Sequence, residues 1–167
     1  DEVISARITG GNDRIIVAST GGKAITFSED QVRVMGRQAQ GVRAIHLDKD
    51  EHVVGMDVIT SPDDFVITLT ELGFGKKTPV EKYPVQNRAG KGVLTVNITK
   101  KTGSLVGIRV VKGTDELIII SSSGQIIRMP VSQIRTTTSR SAQGVRAIKM
   151  KEGEKIVDFT RYVGEEA

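Results

Sequence analysis

At 167 residues with 38% hydrophobic content, the chain carries enough apolar side chain for one domain with a modest core, which excludes a disordered tail. Aromatics make up only 4%, with no Trp, so packing falls to Val, Ile and Leu, the branched residues that suit pleated sheets. The absence of cysteine excludes disulfides and thiolate metal sites and fits a reducing compartment, while 24 Lys and Arg against 20 Asp and Glu, with a pI near 9.4, admit a polyanion as partner.

Val3 to Ile8 reads as a first β-run. It is followed by Gly10-Gly11-Asn12-Asp13, residues that tolerate the left-handed conformations of hairpin turns, and by a return strand from Arg14 to Ser19. Gly21-Gly22 turns the chain into Lys23 to Phe27; beyond Glu29-Asp30 lie an apolar stretch around Val32 and Val34, a loop from Gly36 to Gln40 and a strand from Gly41 to Leu47. The plan then repeats. Val53 to Thr60, the turn Ser61-Pro62-Asp63-Asp64, Phe65 to Thr70 and a glycine-bearing bend at Gly73 and Gly75 precede Tyr83 to Val85, the loop Gln86 to Lys91 and a run from Val93 to Ile98. A third round offers Leu105 to Val111, the turn Lys112 to Asp115, Leu117 to Ser121, a bend at Ser123-Gly124, Ile126 to Met129, a basic loop and Gly144 to Met150. Ile156 to Phe159 then begins the plan once more, as a closing strand.

One motif sets the period: Arg37 to Ile45, Arg88 to Val96 and Arg140 to Ile148 each lead from a cationic loop through a glycine into a β-like run, and Gly41, Gly92 and Gly144 are separated by 51 and 52 residues. Short strands, glycine turns and no helical period predict an all-β, propeller-like fold of about three four-stranded blades. The expected units are about 1–51, 52–103 and 104–154, with a closing strand at 155–163, in a single domain of 1–167. Val3, Val53, Leu105 and Ile156 should occupy equivalent strand starts. Blades cut from a ring leave unpaired edges, so self-association through them is expected.

Charge segregates within the period. Arg33, Arg37 and Arg43 fall between Gln31 and Leu47 with no acid; seven cations lie from Lys76 to Lys101 against Glu81 alone; Arg128, Arg135, Arg140, Arg146, Lys149 and Lys151 follow one another without an acid. The acids gather instead at Asp48, Asp50, Glu51, Asp57, Asp63, Asp64 and Glu71. A single such run is ordinarily a solvated face. Its threefold recurrence predicts a shared cationic rim, with Arg37, Arg88, Lys91 and Arg140 as the first candidates for phosphate contact and Arg33, Lys76, Lys77, Arg128 and Arg135 on neighbouring turns. Arg43 and Arg146 are set aside because Leu94 replaces them in the second unit, which suits a packed stem with a snorkelling head.

Other constellations fail. Gly73-Phe74-Gly75-Lys76-Lys77-Thr78 resembles a phosphate loop, but Thr70 stands where its first glycine belongs and no helical pattern follows. His46 and His52 flank a turn and would need carboxylates to complete a zinc site. Nothing groups Ser, His and Asp as a nucleophile elbow. No cofactor, metal or catalytic residue is therefore expected on this chain. Its longest aliphatic run, Leu117 to Ile120, is far too short for a membrane span, and the start at Asp1 suggests a fragment or processed product.

At Gly73 to Thr78, Tyr83 to Val93 and Arg140 to Val145 the sequence resembles the C-terminal domain of DNA gyrase A, and the likeness runs through the whole chain. Gln86 to Gly92 matches five of the seven positions of that family's Gln-Arg-Arg-Gly-Gly-Lys-Gly box, departing at Asn87 and Ala89. The resemblance implies the last three blades of a six-bladed β-pinwheel in which each blade borrows strands from its sequence neighbour, and whose basic rim binds and wraps double-stranded DNA with little regard for sequence. It also implies a cytoplasmic, nucleoid-associated setting and, as partners, the N-terminal region of gyrase A and the ATP-binding gyrase B, so that the holoenzyme, a type II topoisomerase, introduces negative supercoils. The family's catalytic parts lie elsewhere, and neither Tyr83 nor Tyr162 inherits a catalytic role. Two other readings stand beside it: the C-terminal domain of topoisomerase IV, and a propeller-like module for protein partners.

Overall fold

The aliphatic runs fold as antiparallel strands because both of their faces find apolar cover. In the computed structural model, which describes residues 2–164, the strands are β1 (Arg14–Ser19), β2 (Lys23–Ser28), β3 (Val53–Ile59), β4 (Phe65–Thr70), β5 (Phe74–Pro79), β6 (Val93–Leu94), β7 (Leu105–Val111), β8 (Glu116–Ser121), β9 (Ile126–Pro130), β10 (Val145–Arg146) and β11 (Ile156–Tyr162). Asp1, the first position of the predicted first unit, and residues 165–167 lie outside the described residues. Among the described residues the only helical elements are single 3-10 turns at Glu29–Gln31, Val80–Lys82 and Val131–Gln133, one after each of β2, β5 and β9.

Three sheets result, in the orders β3-β1-β2-β6, β10-β5-β4-β7 and β11-β8-β9. Strand starts at Val53, Leu105 and Ile156 are as expected, and their pairing follows the strand borrowing that the pinwheel resemblance implies. The turns read as hairpins do not close hairpins: β3 pairs with β1, β7 with β4 and β11 with β8, so each unit's first strand joins the sheet of the unit before it. Turn chemistry is satisfied either way. The Lys112 N–H donates to the Asp115 carboxylate at 2.6 Å and the Asp115 carbonyl accepts from Val131, while both edges of β4 are already taken by β5 and β7. Val3 to Ile8, whose counterparts pair backward, forms no strand, and Val3 and Ile8 are 92% and 98% exposed.

The runs after the period glycines are shorter than expected, for a geometric reason. Lys23 pairs with Leu94 and Ala24 with Val93, but β2 begins at Lys23, so past Leu94 no partner strand remains. Thr95 and Val96 instead both donate to the Gly22 carbonyl, and Ala147 and Ile148 both donate to that of Gly73. Gly41 to Leu47 makes no ladder; Ile45 anchors it in the core, and the Ala44 carbonyl accepts from Ala89 while His46 donates to Gly90. The third sheet has three strands because the outer strand of each sheet is lent by the glycine motif of the following unit. Among the described residues its edge strand β9 is unpaired on that side, and Ile126 is 71% exposed.

Alternate residues of β1 and of β4 face opposite cores. Ile16 and Ala18 pack with Val66, Tyr83, Val96, Leu105 and Ile108 between the first and second sheets. Ile67 and Leu69 pack with Leu117, Ile119, Ile134 and Phe159 between the second and third. Ile15, Val17, Ile25, Phe27 and Ile45 fill the far face of the first sheet. This two-sided burial explains why the strands read as continuous aliphatic runs rather than alternating ones. The strand β7 packs against both β3 and β11, which sets β6 and β10, with the loops that precede them, at the outer edge.

Candidate nucleic-acid interface

The second and third cationic loops are each positioned by the sheet of the preceding unit, because their glycines let the backbone press against that sheet. Gly92 and Gly144 adopt φ of +71° and +86°, and a Cβ at Gly144 would lie 2.7 Å from the Gly75 carbonyl oxygen. A chain of contacts then links the loops. The Arg88 guanidinium donates to the carbonyls of Gln31, at 3.0 Å, and Arg43, at 3.1 Å, tying the second loop to the first. The Arg140 Nη1 donates to the Leu94 carbonyl at 3.4 Å, tying the third to the end of the second.

The nine sequence-based candidates separate into three groups. Arg33, Arg37, Lys91 and Arg135 are exposed, and among the described residues their side chains enter no ion pair or hydrogen bond. Arg140 differs from them in being half-buried with its Nη1 on the Leu94 carbonyl, but among the described residues it too has no carboxylate partner, and it lines a cleft of about 580 Å³ with Lys82, Val93, Leu94, Thr138, Ser139 and Ser141. Arg88 and Arg128 are already engaged. Arg88 holds the two carbonyls named above, and the exposed Arg128 pairs with Glu116, which raises its pKa, with its guanidinium 4.7 Å from the Tyr162 ring.

Lys76 and Lys77 do not lie on the rim. The bend expected at Gly75 lies instead within β5, whose ladder with β4 and β10 buries both side chains. Lys77, 7% exposed, donates to the Val131 carbonyl at 3.3 Å with its ammonium 5.2 Å from the Phe65 ring. Lys76 is 0% exposed and donates to the carbonyls of Ser139, at 3.0 Å, and Arg140. Burial, and then the like charge of Arg140, push its pKa from 10.5 down to about 8. Lys82, absent from the sequence-based set, faces the Arg140 cleft and pairs with Glu81 at 3.2 Å; only its place in the basic span signalled it.

This division predicts different roles for two arginines that the motif treats as equivalent. Arg88→Ala removes charge-assisted bonds to two carbonyls and should lower stability by about 1–2 kcal/mol, whereas exposed Arg37→Ala should stay within about 0.5 kcal/mol. Urea unfolding of the two variants against the parent checks this.

Blades that lend strands to one another and carry a recurrent glycine loop at the outer edge define a β-pinwheel, a relative of the propellers. The family model for the DNA gyrase C-terminal domain, a β-propeller, matches residues 13–60, 64–112 and 115–161, and the chain belongs to that family. It is 42% identical over 155 residues to the DNA gyrase A protein of Staphylococcus epidermidis, covering 92% of this chain and 17% of that protein. The chain thus spans less than a fifth of that curated relative. Among solved structures, a DNA gyrase A C-terminal domain superposes with a TM-score of 0.84 at 22% identity, covering 91% of this chain and 51% of that one. The C-terminal domain of a DNA topoisomerase IV gives a TM-score of 0.84 at 23% identity, covering 90% and 47%. These two likenesses concern the fold.

Proposed function

We propose that the outer rim binds double-stranded DNA through its phosphates and bends it along the blades, as the wrapping part of DNA gyrase A. The carrying observation is the contact-linked arc of three loops that presents Arg33, Arg37, Lys91, Arg135 and Arg140, none of which forms an ion pair among the described residues. Backbone contacts position a protein on a duplex without reading its sequence. Tyr83 is buried, and Tyr162 lies under Arg128, so neither ring is free to stack on a base; duplex is favoured over single strands.

In the whole enzyme this rim would set the sign of strand passage, with the chemistry and ATP use in the rest of gyrase A and in gyrase B. A cytoplasmic, nucleoid-associated setting follows from that reading; among the described residues no helix is long and apolar enough to cross a membrane. The gyrase reading is preferred over topoisomerase IV because sequence identity reaches 42% with gyrase A, whereas the topoisomerase IV likeness rests on fold. The open edge of β9 is where an adjoining blade or a second copy would pair.

The test is a salt titration of duplex binding. With about five phosphates neutralised, log affinity should fall against log salt with a slope of roughly −4.5. The Arg37→Ala, Lys91→Ala, Arg140→Ala triple variant should weaken binding to two unrelated duplexes alike and flatten the slope by about 2.7. Unchanged affinity, or strong preference for one duplex, would overturn the rim reading in favour of a module for protein partners.

A further inference from the structure

We infer that Lys76 is a positioning residue for the third cationic loop: its buried ammonium holds the Ser139 and Arg140 carbonyls from below and fixes the backbone that presents Arg140 to a phosphate in the adjoining cleft. This rests on the phosphate reading of the rim, but it assigns a residue that never touches DNA. Three observations carry it.

The first is replacement between blades. Ile25 pairs with Val17, Lys76 with Thr68 and Ile127 with Ile119, so these three side chains occupy one place in their sheets. In the first sheet the loop above, at Gly90, lies against Ile25, where an added Cβ would come within 3.4 Å of its Cδ1. An isoleucine therefore suffices to support such a loop by packing. The second sheet keeps a lysine there instead, at the cost of desolvating a charge.

The second is hydrogen bonding. Lys76 Nζ bonds two consecutive carbonyls, those of Ser139 and Arg140, 63 and 64 positions along the chain. The backbone immediately carrying the Arg140 side chain is thereby clamped to β5. Thr137 N–H donates to the Lys77 carbonyl at 2.7 Å, so the start of the same loop is fixed one residue along the strand.

The third is the missing counter-charge. The charged and titratable groups around Lys76 are Arg140 on the loop, Lys77 on its own strand, Lys82 across the cleft with its partner Glu81, and Tyr83, which hydrogen-bonds Thr95 and responds to Arg140. β4 contributes Thr68 and the far side Gly144, neither of them charged. No carboxylate pairs with Lys76 or Arg140 among the described residues, and the cleft beside them offers the hydroxyls of Thr138, Ser139 and Ser141. Arg140 and Lys82, the cations that line the cleft, together with these three hydroxyls suit a phosphate diester. A bound phosphate favours the charged form of Lys76, so affinity should be highest below the lysine's pKa and fall as pH rises through it.

Two measurements test the inference. In the free protein, amide resonances of residues 137–144 should titrate with a midpoint near 8, where burial places Lys76, and the transition should vanish in Lys76→Met. With a duplex probe, Lys76→Met at pH 7 should bind about tenfold more weakly, and the parent should lose several-fold more affinity than the variant between pH 7 and 9, as expected for one linked proton. Should Lys76→Met fold poorly, Lys76→Ile, the residue of the first sheet, and the parent titration take its place. A loop that shows no transition between pH 7 and 9, or a variant with the parent's affinity and pH profile, overturns the inference. A loop that titrates in a parent that binds no duplex overturns the phosphate reading while leaving the Lys76 clamp standing.

Discussion

Gly92→Ala and Gly144→Ala are each expected to destabilise the protein by about 3 kcal/mol or more, lowering the melting temperature by roughly 6–12 °C, whereas Gly41→Ala should cost only about 1 kcal/mol. All three glycines sit at positive φ, +80° at Gly41, +71° at Gly92 and +86° at Gly144, so the backbone strain of an alanine is common to them. What differs is the neighbour. A Cβ at Gly92 would collide with the Ala24 carbonyl and at Gly144 with that of Gly75, both backbone atoms held in a ladder that cannot give way. Gly41 has nothing within 4 Å of its virtual Cβ. Relief at Gly92 requires β6 to leave β2, taking with it the bonds from Thr95 and Val96 to Gly22 and uncovering Val96 in the core. Thermal melts of the three variants distinguish the two costs; a Gly41 variant as damaged as the other two would mean that strain alone decides.

The period, the strands and their starts were legible because two-sided burial writes itself as aliphatic runs and close backbone approach as glycine. β1 and β4 match the sequence reading residue for residue. Strand exchange was legible through the family resemblance alone and not in the local residues, since the turn at Lys112 to Asp115 closes with the same hydrogen bonds whether the next strand returns to its neighbour or starts a new sheet. β5 was missed for a different reason. Phe-Gly-Lys-Lys-Thr-Pro carries a glycine and two lysines, and only its place between β4 and β10 makes it a strand.

The candidate site was legible as a charge distribution and not as a list of contacts. Arg37 and Lys91 remain available and Arg140 holds only the Leu94 carbonyl, at 3.4 Å, but Arg88, at the matching place in its motif, is occupied by two carbonyls that come from the first unit. Nothing local to Arg88 encodes those partners. Lys76 shows the same limit from the other side: a lysine in a basic segment reads as exposed, and its burial depends on a loop more than sixty residues away.

That burial has a consequence for stability with the opposite sign from that of a paired lysine. Folding lowers the Lys76 pKa from 10.5 to about 8, because desolvation and Arg140 disfavour its charged form. Below pH 8 the lysine is charged in both the folded and unfolded states, and the folded state bears the full penalty. Between about 8 and 10.5 the unfolded chain holds the proton more tightly, so stability contributed by this group rises with pH; above 10.5 both states are neutral and the rise ends. The full span corresponds to roughly 3 kcal/mol. Other groups titrate in the same range, so the clean observable is the parent compared with Lys76→Met, in which they are common. At pH 7 the variant sheds the buried charge but leaves the Ser139 and Arg140 carbonyls without their donor, a cost of about 1–3 kcal/mol that brings the two proteins close together. By pH 10.5 a neutral amine still donates to those carbonyls without the charge penalty, and the parent should have gained roughly 3 kcal/mol on the variant. Urea unfolding at pH 7, 8.5 and 10 follows the difference; parallel curves for the two proteins would show that Lys76 does not titrate in the folded state between 8 and 10.5.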